Sequence, residues 1–236
     1  ASRTASFRED VLVAALLRPL RLMIGAGGIA VGLLIGACLV DALFVFHVWA
    51  DGIGHLRKLL AHDVGQLSVL AARQGWPEGF VTDSANAVYR LVFEASGMHE
   101  MGVRFSQGQG LSIPDSIVRW FYIRHAEGIE EAMVGVQLFG ARLALLAMAS
   151  PLLLLMYAVG AVQGVVDRRI RMACGGRESA SLYHRAKHGQ LVTLAMAMLT
   201  ALTLPVTVDV STGLVVLAAL FSLGAWTQWR FYKKAL

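Results

Sequence analysis

Charged residues are scarce in this chain of 236 residues, of which only 16% are Asp, Glu, Lys or Arg. Soluble domains carry about 25% charged residues. The shortage comes from four apolar segments, each long enough to cross the hydrocarbon core of a bilayer as a helix, which takes roughly 17–25 residues. The second, at residues 134–166, is longer than that and is expected to tilt or to project beyond the bilayer. The composition therefore argues against a soluble domain and predicts an all-α membrane protein with four transmembrane helices.

Cysteines and metal-ligand clusters are also few. Two cysteines, Cys38 and Cys174, are too few for a disulfide framework, so both are expected to be reduced thiols. His184 and His188 lie on one face of a helix, but a metal site needs three or four ligands, and the neighbouring basic residues would repel a cation. We expect no metal and no cofactor.

Enzyme motifs are missing as well. The chain contains no phosphate-binding P-loop, no GxSxG nucleophile elbow, no HExxH zinc motif and no paired carboxylates within the predicted spans. The Gly-Gly pair after Cys174 is expected to end a helix, and Ser179 or Ser181 to begin a second short helix that runs to His188. The protein is therefore predicted not to be an enzyme.

What the chain does contain is an ordered series of apolar spans and polar segments. The predicted spans are residues 22–48, 134–166, 191–208 and 213–229. The other segments are an amphipathic N-terminal segment (1–21), a small helical domain (49–133), a basic loop (167–190) and a basic tail (230–236). Apolar spacing predicts helices on both sides of Trp76-Pro77, a loop at 102–110 and a helix that starts at 112–115.

The distribution of charge predicts the orientation. The N-terminal segment, the basic loop and the tail have net charges of +2, +4 and +3, whereas the helical domain is net negative. Lys and Arg near span ends stay cytoplasmic. Four spans place the three positive segments on one side, so both termini are expected in the cytoplasm and the helical domain outside it.

Two charged residues are expected inside the first two spans. Asp41 and Arg142 lie at similar distances from the outer ends of their spans, so antiparallel helices would bring them to the same depth. Because unpaired charges in a membrane are costly, we predict an Asp41–Arg142 ion pair. The alternative, a proton or ion pathway, requires further polar groups in series, which the inner halves of these spans lack.

Glycines recur at four-residue spacing in the same two spans. The first span contains Gly28, Gly32 and Gly36, and the second contains Gly160 and Gly164. Such stripes allow membrane helices to approach closely. Packing within the protein and packing against a partner's helix are both open.

The basic loop is expected to bind a partner. Its cations could contact anionic lipid headgroups, but their mixture with aromatic and other polar residues favours an acidic cytoplasmic protein. The predicted docking residues are Arg168, Arg169, Arg171, Arg177, Tyr183, Arg185 and Lys187. Direct binding of single-stranded DNA is disfavoured, because the loop lacks an aromatic stacking platform beyond Tyr183.

The stretch DRRIRMACGGRESASLYHRAKH, which begins at Asp167 and lies between two apolar segments, resembles a family of inner-membrane proteins of integrating conjugative elements and large conjugative plasmids. This resemblance implies a bacterial inner-membrane protein, with residues 49–133 in the periplasm, that acts in DNA transfer through a type IV secretion system. It implies the coupling ATPase as partner and a non-enzymatic adaptor as function. A small channel or transporter subunit is the alternative, and a homo-oligomer is compatible with either.

Overall fold

The structure is a computed structural model that describes Gly25 and residues 27–107, 113–175, 180–205 and 210–232. In these residues it contains eight α-helices, a π-helical turn (Arg90–Glu94) after the third helix, and no strand. The helices are α1 (Gly27–His47), α2 (Ile53–Arg73), α3 (Phe80–Tyr89), α4 (Met98–Ser106), α5 (Ile113–Arg124), α6 (Ala126–Ala173), α7 (Ala180–Thr203) and α8 (Val210–Arg230). The prediction of an all-helical protein is confirmed.

Helix α6 is the axis of the fold. Its 48 residues make it about 72 Å long at 1.5 Å per residue, more than twice the roughly 30 Å hydrocarbon core of a bilayer. Helices α1, α2 and α3 pack around its first half, and α8 packs along its second half.

The first half of α6 is the most deeply buried part of the protein. Apolar side chains of α2 and α3 pack on one side of it, and those of α1 pack on another. Gly140 touches the α3 backbone, because a Cβ atom there would lie 2.7 Å from the Ala85 Cα. The buried residues are Ala37, Val45, Leu56, Leu59, Leu67, Ala71, Val81, Ala85, Val134, Leu138, Phe139, Ala141, Ala144, Met148 and Leu202. The buried apolar side chains of α2 and α3 are thus covered by α6.

Helices α7 and α8 form an antiparallel pair beside the second half of α6. Gln190 near the start of α7 donates a hydrogen bond to the Phe221 carbonyl oxygen, 3.0 Å away in α8, and a Cβ atom at Gly224 would overlap the Gln190 side chain. Helix α8 runs parallel to α6. Helix α7 packs mainly on α8 and meets α6 at few positions.

Three helices of the described chain, α1, α6 and α8, are long and apolar enough to cross a membrane. They expose large apolar side chains, such as Ile29, Leu154 and Val215, which are 67%, 68% and 67% exposed. Helix α7, in the place of the predicted third span, is not among the three. Its first ten residues contain Arg185, Lys187 and two histidines, which lower its mean apolarity.

Two local predictions are corrected by the helix boundaries. Residues 102–106 of the expected loop at 102–110 are helical, because α4 continues to Ser106, and residues 108–110 lie outside the described residues. The expected short helix after the Gly-Gly pair is not separate, because it continues into the third apolar segment as α7. The predicted helix end is found: α6 stops at Ala173, and Gly175 has the positive φ of 75° that favours glycine.

Candidate functional site

The Gly160/Gly164 stripe brings α6 into backbone contact with α8. A Cβ atom at Gly160 would overlap the Ser222 carbonyl oxygen, and one at Gly164 would overlap the Trp226 carbonyl oxygen. Both glycines are buried. This stripe therefore packs within the protein.

The glycine stripe of α1 has a different position. Gly28 and Gly32 are exposed and Gly36 is half-buried. Among the described residues, no atom lies within 4 Å of a Cβ atom built at any of the three. The α1 stripe is therefore not used for packing within this part of the chain.

One end of the bundle joins α6, α7 and α8 through charged and aromatic side chains. Asp167 accepts a hydrogen bond from Trp226 Nε1 at 2.8 Å, and Arg171 Nη2 donates one to the Arg230 carbonyl oxygen at 2.8 Å. We call this region the aromatic–basic end. It consists of Asp167, Arg168, Arg171, Tyr183, Trp226, Trp229, Arg230, Phe231 and Tyr232.

Two of the predicted docking arginines lie over aromatic rings in this end. The Arg171 guanidinium carbon is 4.4 Å from the centre of the Phe231 ring, and that of Arg168 is 5.6 Å from the centre of the Tyr232 ring. Cation–π contacts of this kind contribute about 0.5–2 kcal/mol, depending on desolvation. Both arginines are half-buried, so they fasten the end of α6 to the end of α8.

Tyr183 connects α7 to the same end. Its ring centre is 5.5 Å from that of Tyr232. Three other predicted docking residues, Arg169, Arg185 and Lys187, are exposed, and we call them the exposed cation surface. Arg177 lies outside the described residues.

The described residues contain no group of three or more His, Cys, Asp or Glu side chains placed to hold a metal. His184 and His188 instead interact within α7, where the Nδ1 atom of His188 lies 2.8 Å from the His184 carbonyl oxygen.

Arg142 is bound to Asp63 of α2, whereas Asp41 was the predicted partner. Arg142 Nε and Nη2 donate hydrogen bonds to Asp63 Oδ2 at 3.1 and 3.0 Å. Nη1 donates to the Leu204 carbonyl oxygen after α7. Arg142 thereby links three parts of the chain, with its side chain 5% exposed.

The predicted Asp41–Arg142 ion pair stays a prediction, because the charge of Arg142 also acts on Asp41. Asp63 is a further partner that the sequence analysis did not predict. It lies between Leu56, Leu59 and Leu67 on the face of α2 that packs against α6, so it reaches Arg142 from α2.

Asp41 also lies near a second carboxylate. Its Oδ2 atom packs against Gly135, where a Cβ atom would be only 2.8 Å away, and its charge interacts with that of Glu131. The two residues are 3% and 4% exposed, and Glu131 Oε1 is buried without a hydrogen-bond partner. Glu131 lies just before the predicted second span, which begins at residue 134, so the expectation of no paired carboxylates within the spans stays a prediction.

The sequence contains signals for Asp63 and Glu131, the two carboxylates that the sequence analysis did not single out. Asp63 interrupts a series of leucines at helical spacing, so it puts a charge on the face of the helix that is expected to be buried. Glu131 precedes Arg142 by 11 residues, about three helical turns, so the two lie on one face of α6. The contacts between Arg168, Arg171 and the end of α8 had no such local signal, because they join residues about 60 positions apart.

The fold and this end define a class of protein: an all-helical chain with three helices able to span a membrane and a cluster of cations where α6, α7 and α8 meet. Residues 48–233 match the family model described as IncC plasmid conjugative DNA transfer protein DtrJ-like. The chain belongs to this family, and its role is in conjugative DNA transfer.

The family match confirms the resemblance to proteins of conjugative elements that the stretch at 167–188 carried. No curated protein and no solved structure matches the chain.

Proposed function

We propose that this protein is a non-enzymatic inner-membrane adaptor of a conjugative type IV secretion apparatus, and that it binds the coupling ATPase. The observation that carries the proposal is the division of the basic segment. Arg168 and Arg171 fasten helices together, whereas Arg169, Arg185 and Lys187 remain exposed beside them. A fixed end with exposed cations suits an acidic protein surface, because complementary charge steers association and fixes its register.

A four-span arrangement is part of the proposal. Tyr183 at the start of α7 contacts Tyr232 after α8, and Arg171 near the end of α6 contacts Arg230 at the end of α8. If α6 and α8 both cross the bilayer in the same direction, α7 must cross it in the opposite direction to keep these ends together. This supports cytoplasmic termini and a periplasmic position for α2–α5.

The outward glycine stripe of α1 supports a second contact with the partner, within the membrane. Gly28 and Gly32 are exposed and touch no described neighbour. Small residues at this spacing allow a second membrane helix to approach to backbone distance. In the adaptor, this surface would receive a membrane helix of the coupling ATPase.

Co-purification tests the adaptor directly. The triple charge reversal Arg169→Glu, Arg185→Glu and Lys187→Glu should reduce recovery of the coupling ATPase with the tagged protein by about tenfold or more, because like-charge contacts at an interface cost several kcal/mol. The matched control is Arg73→Glu with Arg90→Glu and Arg119→Glu, three changes on the outer segment, which should leave recovery unchanged. Equal recovery with both triple variants, each still inserted in the membrane, contradicts the assignment.

A channel or transporter subunit is the second candidate, and the buried Asp41–Glu131 pair favours it. Carboxylates in such sites mark proton and ion pathways in many membrane proteins. A pathway would require transfer to fall when the pair is made neutral. Conjugation frequency of an Asp41→Asn, Glu131→Gln variant separates the two: the adaptor predicts near-normal transfer and the pathway predicts a large loss.

A further inference from the structure

The Asp63–Arg142 ion pair lies at one end of an apolar crevice that is separate from the proposed docking surface. The crevice has a volume of about 350 Å³ and lies between α6, α7 and α8. Its α6 wall includes Leu146, Ala149 and Leu153. These residues recur every three to four positions, so they form one continuous face of the helix.

The opposite walls are also continuous apolar faces. Helix α7 contributes Leu194, Ala197 and Ala201 at the same spacing, and α8 contributes Leu214 and Leu217. Protein interiors are normally packed so closely that few voids exceed a water molecule. A crevice of this size therefore requires an occupant or solvent.

Water is a poor occupant of most of this space. A buried water needs two to four polar partners, and apolar cavities stay dry. The polar lining is confined to the Asp63, Gln66 and Arg142 end. Because the Asp63 carboxylate already neutralises Arg142 at 3.0 Å, that end does not call for a charged ligand.

A partner's membrane helix does not match the length of the crevice. The crevice extends from Arg142 to Leu153 along α6, about 16 Å at 1.5 Å per residue. A helix that crosses the roughly 30 Å hydrocarbon core of a bilayer is about twice as long. The acyl chain of a phospholipid is both long and thin. Such chains are the most abundant groups of that shape around a helix that crosses a bilayer.

We infer that the crevice between α6, α7 and α8 binds one acyl chain of a membrane phospholipid. The chain lies along the apolar faces, and the glycerol end of the lipid lies toward Asp63, Gln66 and Arg142. The lipid fills the gap between α6 and α7, two helices that otherwise touch at few positions. Since binding depends on the chain rather than on the headgroup, zwitterionic and anionic phospholipids should bind equally.

Native mass spectrometry of the purified full chain tests the inference. The wild type, reconstituted with phosphatidylethanolamine or with phosphatidylglycerol and then extracted, should retain one phospholipid in either case. Ala197→Phe, which fills the crevice, should lower this occupancy about tenfold, because displacing two buried methylene groups is enough for a factor of ten in affinity. The matched control is Ala195→Phe, which adds the same side chain at an exposed position of the same helix and should retain the lipid.

A second variant that fills the crevice, Ala201→Phe, repeats the test in case Ala197→Phe does not fold. Both variants must elute at the wild-type volume in size-exclusion chromatography. Retention of the lipid by a folded Ala197→Phe or Ala201→Phe protein overturns the inference. So does a bound mass that is a fatty acid or detergent, or a lipid retained only when its headgroup is anionic. The last result would place the lipid on the exposed cation surface.

Discussion

At the scale of single residues, Arg142 is the buried side chain that links α6 to α2 and to the end of α7. It reaches Asp63 of α2 and the Leu204 carbonyl oxygen after α7, and it is almost completely buried. A buried charge is tolerated only when it is paired. The contact between α2 and α6 therefore contains one ion pair within an apolar core.

The pair predicts a non-additive result. Asp63→Leu alone should destabilise the protein by about 3–5 kcal/mol, because it leaves a buried guanidinium without its partner. Asp63→Leu combined with Arg142→Met should recover most of that loss, since apolar replacement of a whole buried pair is often neutral. Unfolding in detergent, followed by tryptophan fluorescence, measures both. A double variant as unstable as the single one would show that the pair does not act as a unit.

Two arginines of the basic segment are expected to differ in their contribution to stability. Arg171→Gln should lower the unfolding free energy by about 1 kcal/mol, because it removes the contact with Phe231 and a hydrogen bond to the end of α8. Arg169→Gln, two positions earlier and exposed, should change it by less than about 0.5 kcal/mol. If both variants lose the same unfolding free energy, the distinction between Arg171, which holds α6 to α8, and the exposed Arg169 is contradicted.

At the scale of elements, the two glycine stripes predict opposite effects of the same substitution. Gly160→Leu should cost about 1–3 kcal/mol or prevent assembly of α6 with α8, because its Cβ would overlap the α8 backbone. Gly32→Leu should leave the stability of the purified protein unchanged, yet weaken recovery of the coupling ATPase. Thermal unfolding and co-purification of the two variants give this comparison, and a destabilised Gly32→Leu protein would show that its stripe packs internally.

The sequence predicted elements better than contacts. Apolar length and periodicity predicted helices within residues 22–48, 134–166 and 213–229, because these signals are local. The partner of Arg142 could not be predicted from depth alone, since α2 approaches from the outer segment and covers the same part of α6. The role of Arg168 and Arg171 also depends on where α8 ends relative to α6, which is a property of tertiary packing.

At the scale of the whole molecule, α6 carries two different sets of neighbours. Asp41 of α1 packs at Gly135, whereas Ser222 of α8 packs at Gly160, about 37 Å further along the helix. A hydrocarbon core of about 30 Å cannot enclose all of α6 when the helix is upright. A tilt of about 65° would be needed to enclose all of it, more than the roughly 40° reached by membrane helices. If α6 crosses the bilayer, it therefore extends beyond it where α2 and α3 cover it.

The four-span orientation is tested by the native cysteines. Cys174 is exposed at the end of α6 and Cys38 is half-buried in α1. A membrane-impermeant maleimide should label Cys174 in inverted inner-membrane vesicles and not in intact spheroplasts. In a Cys174→Ser background, Ala95→Cys, on the outer segment, should show the reverse. Labelling of Cys174 in intact spheroplasts would show that the protein has the opposite orientation.

The most direct test of the adaptor is a photo-crosslink in mating cells. A benzophenone amino acid at Lys187, on the exposed cation surface, should crosslink to the coupling ATPase, identified by mass spectrometry of the adduct. The same amino acid at Leu154, an exposed apolar position in the second half of α6, is the matched control and should give no such adduct. Capture of the ATPase at Lys187 alone is the result that the account predicts. If neither position captures it in cells that transfer DNA at the normal frequency, the coupling ATPase is not the partner of this surface.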